Sequence, residues 1–279
     1  MKSIVVLYHA NCPDGFGAAY AAWRKFGGRA EYIAVNPDTL PKKTLRNREI
    51  YALDISYSKK VLEKLKKENK SIVVIDHHIT SKDAIKHASS FVFDIKHSAA
   101  ILAWRYFQPK KSVPWLLRYI EDYDLWKFKI PDTKVVAPYI HMQKRDFRIW
   151  TGMMRRLETK KGRGECKKAG KLIYDYGETL IASLEKKAIP VIFENKKVFV
   201  VNSSASELAD RLLHRLLKKI PPFSAAWYET REEIKVSLRS DGKFDVSKLA
   251  IRYGGGGHKA AAGFSLPRKA KLPWKPIKN

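Results

Sequence analysis

The sequence predicts an α/β protein of two domains, the first of which contains a parallel β-sheet. Short apolar runs alternate with helical patterns through the first hundred residues, and a different pattern begins near Ile189. The apolar runs mostly lack strict alternation, as expected for strands buried on both faces. Strands that alternate with helices pair in parallel through right-handed crossovers. The 279 residues, 45% of them apolar, are enough for two domains.

Five strands and three helices are predicted in the first hundred or so residues. The strands are rich in Val, Ile, Tyr and Phe and are placed at Ser3–Tyr8, Glu31–Val35, Glu49–Asp54, Ser71–Asp76 and Ser89–Asp94. The helices between them are placed at Gly15–Phe26, Ser58–Asn69 and His97–Phe107. The region from Val113 to Ala188 is predicted to be mostly helical, with a polar turn at Thr159–Gly164.

The second domain is predicted to be smaller and also of α/β type. Two strands in the segment 190–202 flank an Asn-Lys-Lys turn, and an amphipathic helix follows at Ser206–Lys219. Two further strands are placed at Ala225–Glu229 and Glu233–Ser240, and the Pro- and Lys-rich segment Leu266–Asn279 is predicted to be weakly ordered. The domains are therefore 1–188 and 189–279.

The charge of the chain predicts a polyanionic partner. Lys and Arg number 55 against 28 Asp and Glu, which gives a formal net charge of +27. Heat-adapted proteins are also rich in Lys, but they pair it with Glu, and acids are too few here. This balance favours nucleic acid or another phosphate polymer. No run of 18 apolar residues is present, so no membrane association is expected. Two cysteines, Cys12 and Cys166, make no disulfide framework and favour a reducing, cytoplasmic location.

Acidic and histidine side chains follow three predicted strands at the point where each strand ends. These residues are His9, Asp14, Asp54, Asp76, His77 and His78. Ligands of open parallel sheets bind beyond the carboxyl ends of the strands. Each Asp taken alone could instead cap a helix. Together they would repel one another without a cation, and their mixture of carboxylate and imidazole suits Mn²⁺, Mg²⁺, Co²⁺ or Fe²⁺. A further acidic cluster, 121–124, ends a predicted helix.

A glycine run near the carboxyl end predicts an anion-binding loop. Gly254, Gly255, Gly256 and Gly257 precede His258, and Arg239 and Arg252 lie in the same region. Glycines let the backbone approach an anion closely, and arginine contacts phosphate through two N–H groups. The alternative is a flexible linker or a sharp turn.

The motifs together resemble a known family. Asp76-His77-His78 after an apolar strand, with HANCPDGFGAA upstream and GGGGHKAAAG downstream, resembles the DHH phosphoesterases that carry a DHH-associated C-terminal domain. The similarity covers nearly the whole chain, and Lys235–Phe264 is its most specific segment. The closest branch looks like the oligoribonucleases (nano-RNases) and cyclic-nucleotide phosphodiesterases.

The resemblance implies two divalent cations, usually Mn²⁺, with Mg²⁺ or Co²⁺ as alternatives. The implied ligands are His9 and Asp14 for the first cation, Asp54 as the bridge, and His77 and Asp122 for the second. Asp124 is a rival to Asp122. The first motif departs from the family pattern, because Phe16 stands where a second acid would fall.

The same resemblance implies catalytic and substrate-binding roles. His78 would lie beside the scissile phosphate, and Asp76 would orient His77. Arg239, Arg252, the four glycines and His258 would bind the nucleotide end of the substrate, across a cleft between the two domains.

The function expected is metal-dependent hydrolysis of short single-stranded oligonucleotides, such as oligoribonucleotides, to nucleoside monophosphates. Within the same class, the alternatives are a cyclic or linear dinucleotide phosphodiesterase and a single-strand DNA exonuclease. A pyrophosphatase or polyphosphatase uses a similar first domain, but the glycine-loop domain favours a nucleotide. From another class, a non-catalytic nucleic-acid-binding protein stays open, because the first motif lacks one acid.

Overall fold

The structure, a computed structural model, describes residues 2–36, 39–55, 57–204 and 206–277, without the side chains of residues 206 and 207. The chain divides into two compact units, residues 1–174 and 175–279. The division falls within one long helix, Lys160–Glu185. The domain boundary at residue 188 lies just beyond the end of this helix and stays a prediction.

A five-stranded parallel sheet forms the centre of the first unit, as the sequence predicts. Its strands are β1 (Ile4–His9), β2 (Ala30–Val35), β3 (Glu49–Leu53), β4 (Ser71–Asp76) and β5 (Ser90–Phe93). They are ordered β2-β1-β3-β4-β5, and every neighbouring pair is parallel. The chain therefore builds the sheet outward in two directions from the boundary between β1 and β3. Such a reversal leaves a crevice at the carboxyl ends of the two strands.

Helices cover both faces of this sheet. They are α1 (Pro13–Phe26), α2 (Lys59–Glu68), α3 (Ala99–Phe107), α4 (Trp115–Asp124), α5 (Thr133–His141), α6 (Phe147–Glu158) and α7 (Lys160–Glu185). Val6 of β1 packs into a core shared with α1 and α3, whereas Val5 and Leu7 pack with Leu62 and Leu65 of α2. Burial of alternate side chains on opposite faces explains why the strands are continuous apolar runs.

The predicted turn at Thr159–Gly164 is wrong. Only Thr159 has an extended backbone between α6 and α7, and α7 begins at Lys160. Gly162, which suggested a turn, instead lies where a side chain would collide with the carbonyl group of Arg156. The glycine therefore allows close packing at the corner between the two helices.

A seven-stranded mixed sheet forms the second unit. Its strands are β6 (Ile189–Phe193), β7 (Lys196–Asn202), β8 (Phe223–Glu229), β9 (Glu233–Ser240), β10 (Gly256–Gly257), β11 (Ala261–Pro267) and β12 (Trp274–Pro276). They are ordered β10-β11-β9-β8-β7-β6-β12. Helices α8 (Ser206–Lys219) and α9 (Val246–Arg252) belong to this unit, as does the end of α7, whose Ile181 packs against α8.

Two details of this unit differ from the prediction. The turn between β6 and β7 is formed by Glu194 and Asn195, both with positive φ, and Lys196 already belongs to β7. Within the predicted tail, residues 266–277 are not weakly ordered, because β12 pairs with β6 and the Trp274 side chain is buried, and residues 278 and 279 lie outside the described residues. Packing of one large aromatic residue outweighs the Pro and Lys content that suggested disorder.

None of the helices in the described residues is both long enough and apolar enough to cross a membrane.

Candidate metal centre

Three neighbouring strands deliver the predicted site residues to one edge of the parallel sheet. His9 ends β1, Asp54 follows β3, and Asp76 ends β4 and is followed by His77. His9 Nδ1 lies 3.3 Å from Asp54 Oδ2, and His77 Nε2 lies 3.4 Å from Asp54 Oδ1. Asp54 is therefore the residue that links the ends of β1 and β4.

Asp54 is held in an unusual backbone conformation. Its φ is 58°, in the left-handed region that Asp and Asn tolerate better than other side chains do. Its N–H donates to the carbonyl group of Ile75, which fixes the turn beside β4. Burial opposes the charge of its carboxylate, but the imidazoles of His77 and His9 outweigh burial and hold its pKa below the usual range. Asp54 is thus held as an anion although it is only 3% exposed.

Two further carboxylates approach the imidazole of His77. Asp14 Oδ2 lies 3.6 Å and Asp124 Oδ2 lies 3.7 Å from His77 Nε2. Burial lowers the pKa of His77, but Asp54 and the two other carboxylates outweigh burial and raise it to about 10. The pKa of Asp14 is raised by burial and by the charges of Asp124 and Asp54. The carboxylates therefore repel one another and require a positive charge among them.

Asp14 does not cap its own helix. Its two carboxylate oxygens accept hydrogen bonds from the N–H groups of Ala99 and Ala100, at the beginning of α3. Each oxygen retains a second acceptor position, so Asp14 can bind the helix end and a cation together. The neighbouring residue, Gly15, packs directly on His9, since a Cβ at this position would lie 2.7 Å from His9 Cβ. The glycine therefore lets α1 begin against the end of β1.

Asp122, the predicted ligand, and Asp124, its rival, have different surroundings in the structure. The carboxylate of Asp122 is buried and accepts hydrogen bonds from the N–H groups of Lys129 and Ile130 and from the hydroxyl group of Thr133. The lone pairs of Asp122 therefore stabilise the loop after α4, and Asp124 is the member of this acidic run that lies beside His77. The sequence left this choice open, because a cluster at a helix end does not show which residue faces the sheet.

Asp76, which is predicted to orient His77, contacts the ring of His78 in the structure. Its Oδ1 lies 2.7 Å from His78 Nδ1 and accepts a hydrogen bond from the backbone N–H of His77. Asp76 therefore orients the ring of His78. Its hydrogen bond with His77 involves the backbone and not the ring of that residue. Burial lowers the pKa of His78, but the charge of Asp76 outweighs burial and raises it to about 9.

The residues present fit a cation site. In the described part of the chain, Asp54 Oδ1 is buried and has no hydrogen-bond partner. A buried carboxylate oxygen without a donor is costly unless a cation satisfies it. Two of the groups of side chains that place their ligand atoms within 4.8 Å of one another are His9 with Cys12 and Asp54, and Asp14 with His77 and Asp124. Oxygen and imidazole donors suit Mn²⁺ or Mg²⁺.

Neither Cys12 nor Phe16 changes this donor chemistry. Burial and the surrounding carboxylates raise the pKa of the Cys12 thiol well above its usual value, which disfavours a thiolate ligand. The Phe16 ring stacks on Phe147, with 5.0 Å between centroids, and packs edge-on against Trp150. The position at which the family pattern has a second acid is therefore part of an aromatic core, and Asp124 supplies a carboxylate from a distant segment.

The glycine run of the second unit does not form the predicted cradle at its first two positions. The N–H groups of Gly254 and Gly255 donate to the carbonyl groups of Ile251 and Ala250 and so end helix α9. A side chain at Gly255 would collide with the carbonyl group of Gly263, so close packing explains this glycine. Gly256 and Gly257 form strand β10, and Gly257 has a φ of 135°. Anion binding by Gly257 and His258, at the end of the run, stays a prediction.

Both predicted arginines form ion pairs within the second unit. Arg239 contacts Asp210 through Nε at 2.6 Å and Nη2 at 2.5 Å, and Arg252 Nη1 lies 2.9 Å from Glu194. The charges of the two arginines are therefore partly compensated. To bind a phosphate, each arginine would have to contact the phosphate and its carboxylate partner at the same time. The sequence gives no sign of these partners, which lie 29 and 58 positions away.

Comparisons with known proteins agree with this architecture. A family model described as the DHHA1 domain matches residues 184–273. An uncharacterized protein of Acanthamoeba polyphaga mimivirus is 30% identical, over 98% of this chain and 70% of that protein. The oligoribonuclease NrnB of Bacillus subtilis is 25% identical, over 93% of this chain and 72% of its own length.

Two solved structures share the fold. The DHH domain of a member of the s1p family of ribosomal proteins superposes with a TM-score of 0.60 at 15% identity, covering 95% of this chain and 83% of that one. An exopolyphosphatase-related protein from Bacteroides fragilis superposes with a TM-score of 0.56 at 16% identity, covering 97% and 88%.

Proposed function

We propose that this chain, which belongs to the DHH family of phosphoesterases with a DHHA1 domain, is a divalent-metal-dependent hydrolase of short single-stranded oligonucleotides that releases nucleoside monophosphates. One observation carries the proposal. Three carboxylates, from Asp14, Asp54 and Asp124, lie within 3.4–3.7 Å of His77 Nε2 at the carboxyl edge of the sheet. This donor set suits a pair of hard cations and the chemistry of phosphoryl transfer.

The ligands that we assign come from both groups of side chains at this edge. His9 and Asp14 would hold one cation, Asp54 would serve both, and His77 and Asp124 would hold the other. Bound cations supply Lewis acidity toward the phosphodiester and charge to stabilise its transition state. We expect Mn²⁺ to support this best, with Mg²⁺ or Co²⁺ as alternatives.

His78 is the residue that we assign to the substrate phosphate. Asp76 Oδ1 lies 2.7 Å from its Nδ1 and fixes the orientation of the ring, and we assign the contact with a phosphoryl oxygen to Nε2. Burial opposes the charge of the His78 ring, but the carboxylate of Asp76 favours the cationic form, which can donate a charged hydrogen bond to phosphate.

The nucleotide substrate is supported by three features. The chain has a net charge of +27. The DHHA1 match covers most of the second unit. A relative at 25% identity is named an oligoribonuclease. We therefore assign binding of the nucleotide end to the second unit, at His258 and Gly257.

The first prediction tests the reaction class. With Mn²⁺, the protein is expected to release nucleoside monophosphates from RNA of two to five nucleotides, and EDTA should reduce the rate to background. Chromatography of the products measures both outcomes, and a 24-nucleotide RNA, a dinucleotide of DNA and pyrophosphate serve as comparison substrates. Hydrolysis of pyrophosphate alone contradicts the proposal. If the protein binds RNA tightly but releases no product with any of the cations tested, it is a non-catalytic RNA-binding protein instead.

The second prediction separates substrate binding from metal chemistry. His258→Ala and Arg239→Gln are each expected to lower kcat/KM for a dinucleotide by about one to two powers of ten, because a charged hydrogen bond is worth about 1.5–3 kcal/mol. Hydrolysis of bis-p-nitrophenyl phosphate, which lacks a nucleotide end, should be nearly unchanged.

A matched control is Arg268→Gln, since Arg268 is an exposed arginine of the same unit that lies 3.9 Å from Glu229. This variant should leave both activities within about twofold of normal. Equal loss of both activities in the His258 variant would show that His258 supports the fold rather than the substrate.

A further inference from the structure

An arginine-rich group surrounds an aromatic ring at the beginning of α4, within the first unit. The guanidinium carbon of Arg163 lies 4.6 Å from the centroid of the Trp115 ring, and that of Arg118 lies 5.3 Å from it. Trp115 is half-buried and Arg118 is exposed. Both distances are within the range of cation–π attraction, which holds a guanidinium over an indole.

Main-chain carbonyl groups fix both arginines. Arg118 Nε donates to Val113 at 2.9 Å, and Arg163 Nη1 donates to Leu157 and Glu158 at 2.8 and 3.1 Å. Among the described residues, no carboxylate oxygen lies within 4.0 Å of either guanidinium. The carboxylate of Glu158, the acid nearest in sequence to Arg163 on the α6 side, accepts instead from the backbone N–H of Trp115. The two positive charges are therefore oriented but not neutralised.

Two exposed lysines extend the positive charge. Lys160 lies one helical turn before Arg163, and Lys111 lies two residues before the carbonyl group that binds Arg118. The loop that carries Lys111 is anchored, because its carbonyl group accepts from the Trp104 indole. Neither lysine has a carboxylate partner in the part of the chain that is described. We call Lys111, Trp115, Arg118, Lys160 and Arg163 the corner surface.

The corner surface is separate from the metal centre. Trp115 begins α4 and Asp124 ends it, so nine residue steps of about 1.5 Å place them about 14 Å apart along the helix axis. None of the residues of the corner surface belongs to the groups that could hold a cation. Its charges are therefore not needed to balance the carboxylates of Asp14, Asp54 and Asp124.

We propose that the corner surface is a second nucleic-acid contact, which binds the backbone of single strands too long to be held at the metal centre alone. Arginines that are fixed by carbonyl groups keep N–H groups for phosphate oxygens, and little side-chain entropy is lost when they bind. An unpaired base can stack on the plane of a guanidinium group that is itself held over the indole, whereas inorganic polyphosphate has no base. This contact goes beyond the proposed hydrolysis, because a dinucleotide at the metal centre does not need it.

Binding of a fluorescein-labelled 24-nucleotide RNA tests this proposal. Anisotropy is measured in EDTA, so that no hydrolysis occurs, at several salt concentrations. The double variant Arg118→Gln/Arg163→Gln is expected to raise Kd about tenfold and to reduce the slope of log Kd against log salt by about 1.4, at about 0.7 per lost phosphate contact. The kcat/KM for a dinucleotide with Mn²⁺ should stay within about twofold of normal.

The matched control removes two charges elsewhere. Lys64 and Lys67 are exposed on α2, and Lys64→Gln/Lys67→Gln should change Kd by less than about twofold. An equal loss in this control would show that only net charge matters and would overturn the proposal. Unchanged binding in the arginine variant would overturn it as well.

Two competitors identify the partner. Polyphosphate of equal phosphate number should displace the RNA less well than unlabelled RNA does, and equal displacement would contradict a nucleic-acid site. Any binding of the protein to vesicles of phosphatidylglycerol should be the same for the parent chain and for the variant that lacks the two arginines. Because binding is read in EDTA, a failure of the proposed hydrolysis leaves this result interpretable.

Discussion

Replacing Asp54 with asparagine is expected to lower kcat/KM for a short oligonucleotide by about 10³-fold or more, the largest loss from any single change in the metal centre. Asp54 contacts His9 through one carboxylate oxygen and His77 through the other, so it is the one carboxylate assigned to both cations. Asparagine keeps the size of the side chain and tolerates a φ of 58°, whereas alanine would be strained there. The loss therefore measures charge rather than folding.

Metal binding gives a second readout of the same variant. Titration calorimetry with Mn²⁺ should show weaker binding or fewer sites in Asp54→Asn than in the parent chain. The matched control is Asp94→Asn, because Asp94 also follows a strand of the sheet, β5, but its carboxylate binds the backbone N–H of Lys96. That control should keep normal activity. Turnover of Asp54→Asn within tenfold of normal would show that another residue bridges the cations.

The parallel sheet and the ends of its strands could be predicted because the relevant information is local. Continuous apolar runs identify strands that are buried on both faces, and a strand end fixes which side of the sheet its next residue occupies. His9, Asp54 and His77 all follow this rule, and the structure brings them together. The five predicted strands agree with β1–β5 to within one or two residues.

The choice between Asp122 and Asp124 could not be predicted, because it depends on a loop that folds back later in the chain. Two residues are about 200° apart on a helix, so only one can face the sheet. The loop of Lys129 and Ile130 selects Asp122 by donating two backbone hydrogen bonds to it. The donors that bind Asp122 all follow it within eleven residues of the chain. The sequence does not show that they face its carboxylate, because this depends on the geometry of the turn.

The ion pairs of the second unit were hidden for a similar reason. Asp210 lies on α8 and Arg239 on β9, and the pairing of these two elements is a tertiary contact. The order of the carboxyl-terminal segment likewise depends on β6, with which β12 pairs. In each of these cases the sequence shows the chemistry of the side chain. It does not show the tertiary partner on which the role of that side chain depends.

Asp122 and Asp124 are expected to respond in opposite ways to substitution. Asp124→Asn should lower kcat/KM by about 10²-fold or more, because it removes the charge of a proposed ligand beside His77, and it should leave the free energy of unfolding nearly unchanged. Asp122→Ala should lower the free energy of unfolding by about 3–5 kcal/mol, because it leaves the N–H groups of Lys129 and Ile130 without their acceptor.

Urea unfolding and steady-state kinetics on the same preparations distinguish the two roles. The activity of Asp122→Ala is measured under conditions in which the variant is still folded. The assay then gives the loss of activity per folded molecule. That loss should be less than tenfold, since Asp122 does not touch the ligand cluster. Asp122→Asn gives a milder comparison, because its amide oxygen can still accept one or two of the three hydrogen bonds. If Asp122→Asn abolished Mn²⁺ binding while Asp124→Asn retained it, the ligand would be Asp122 and the assignment made from the distances to His77 would be wrong.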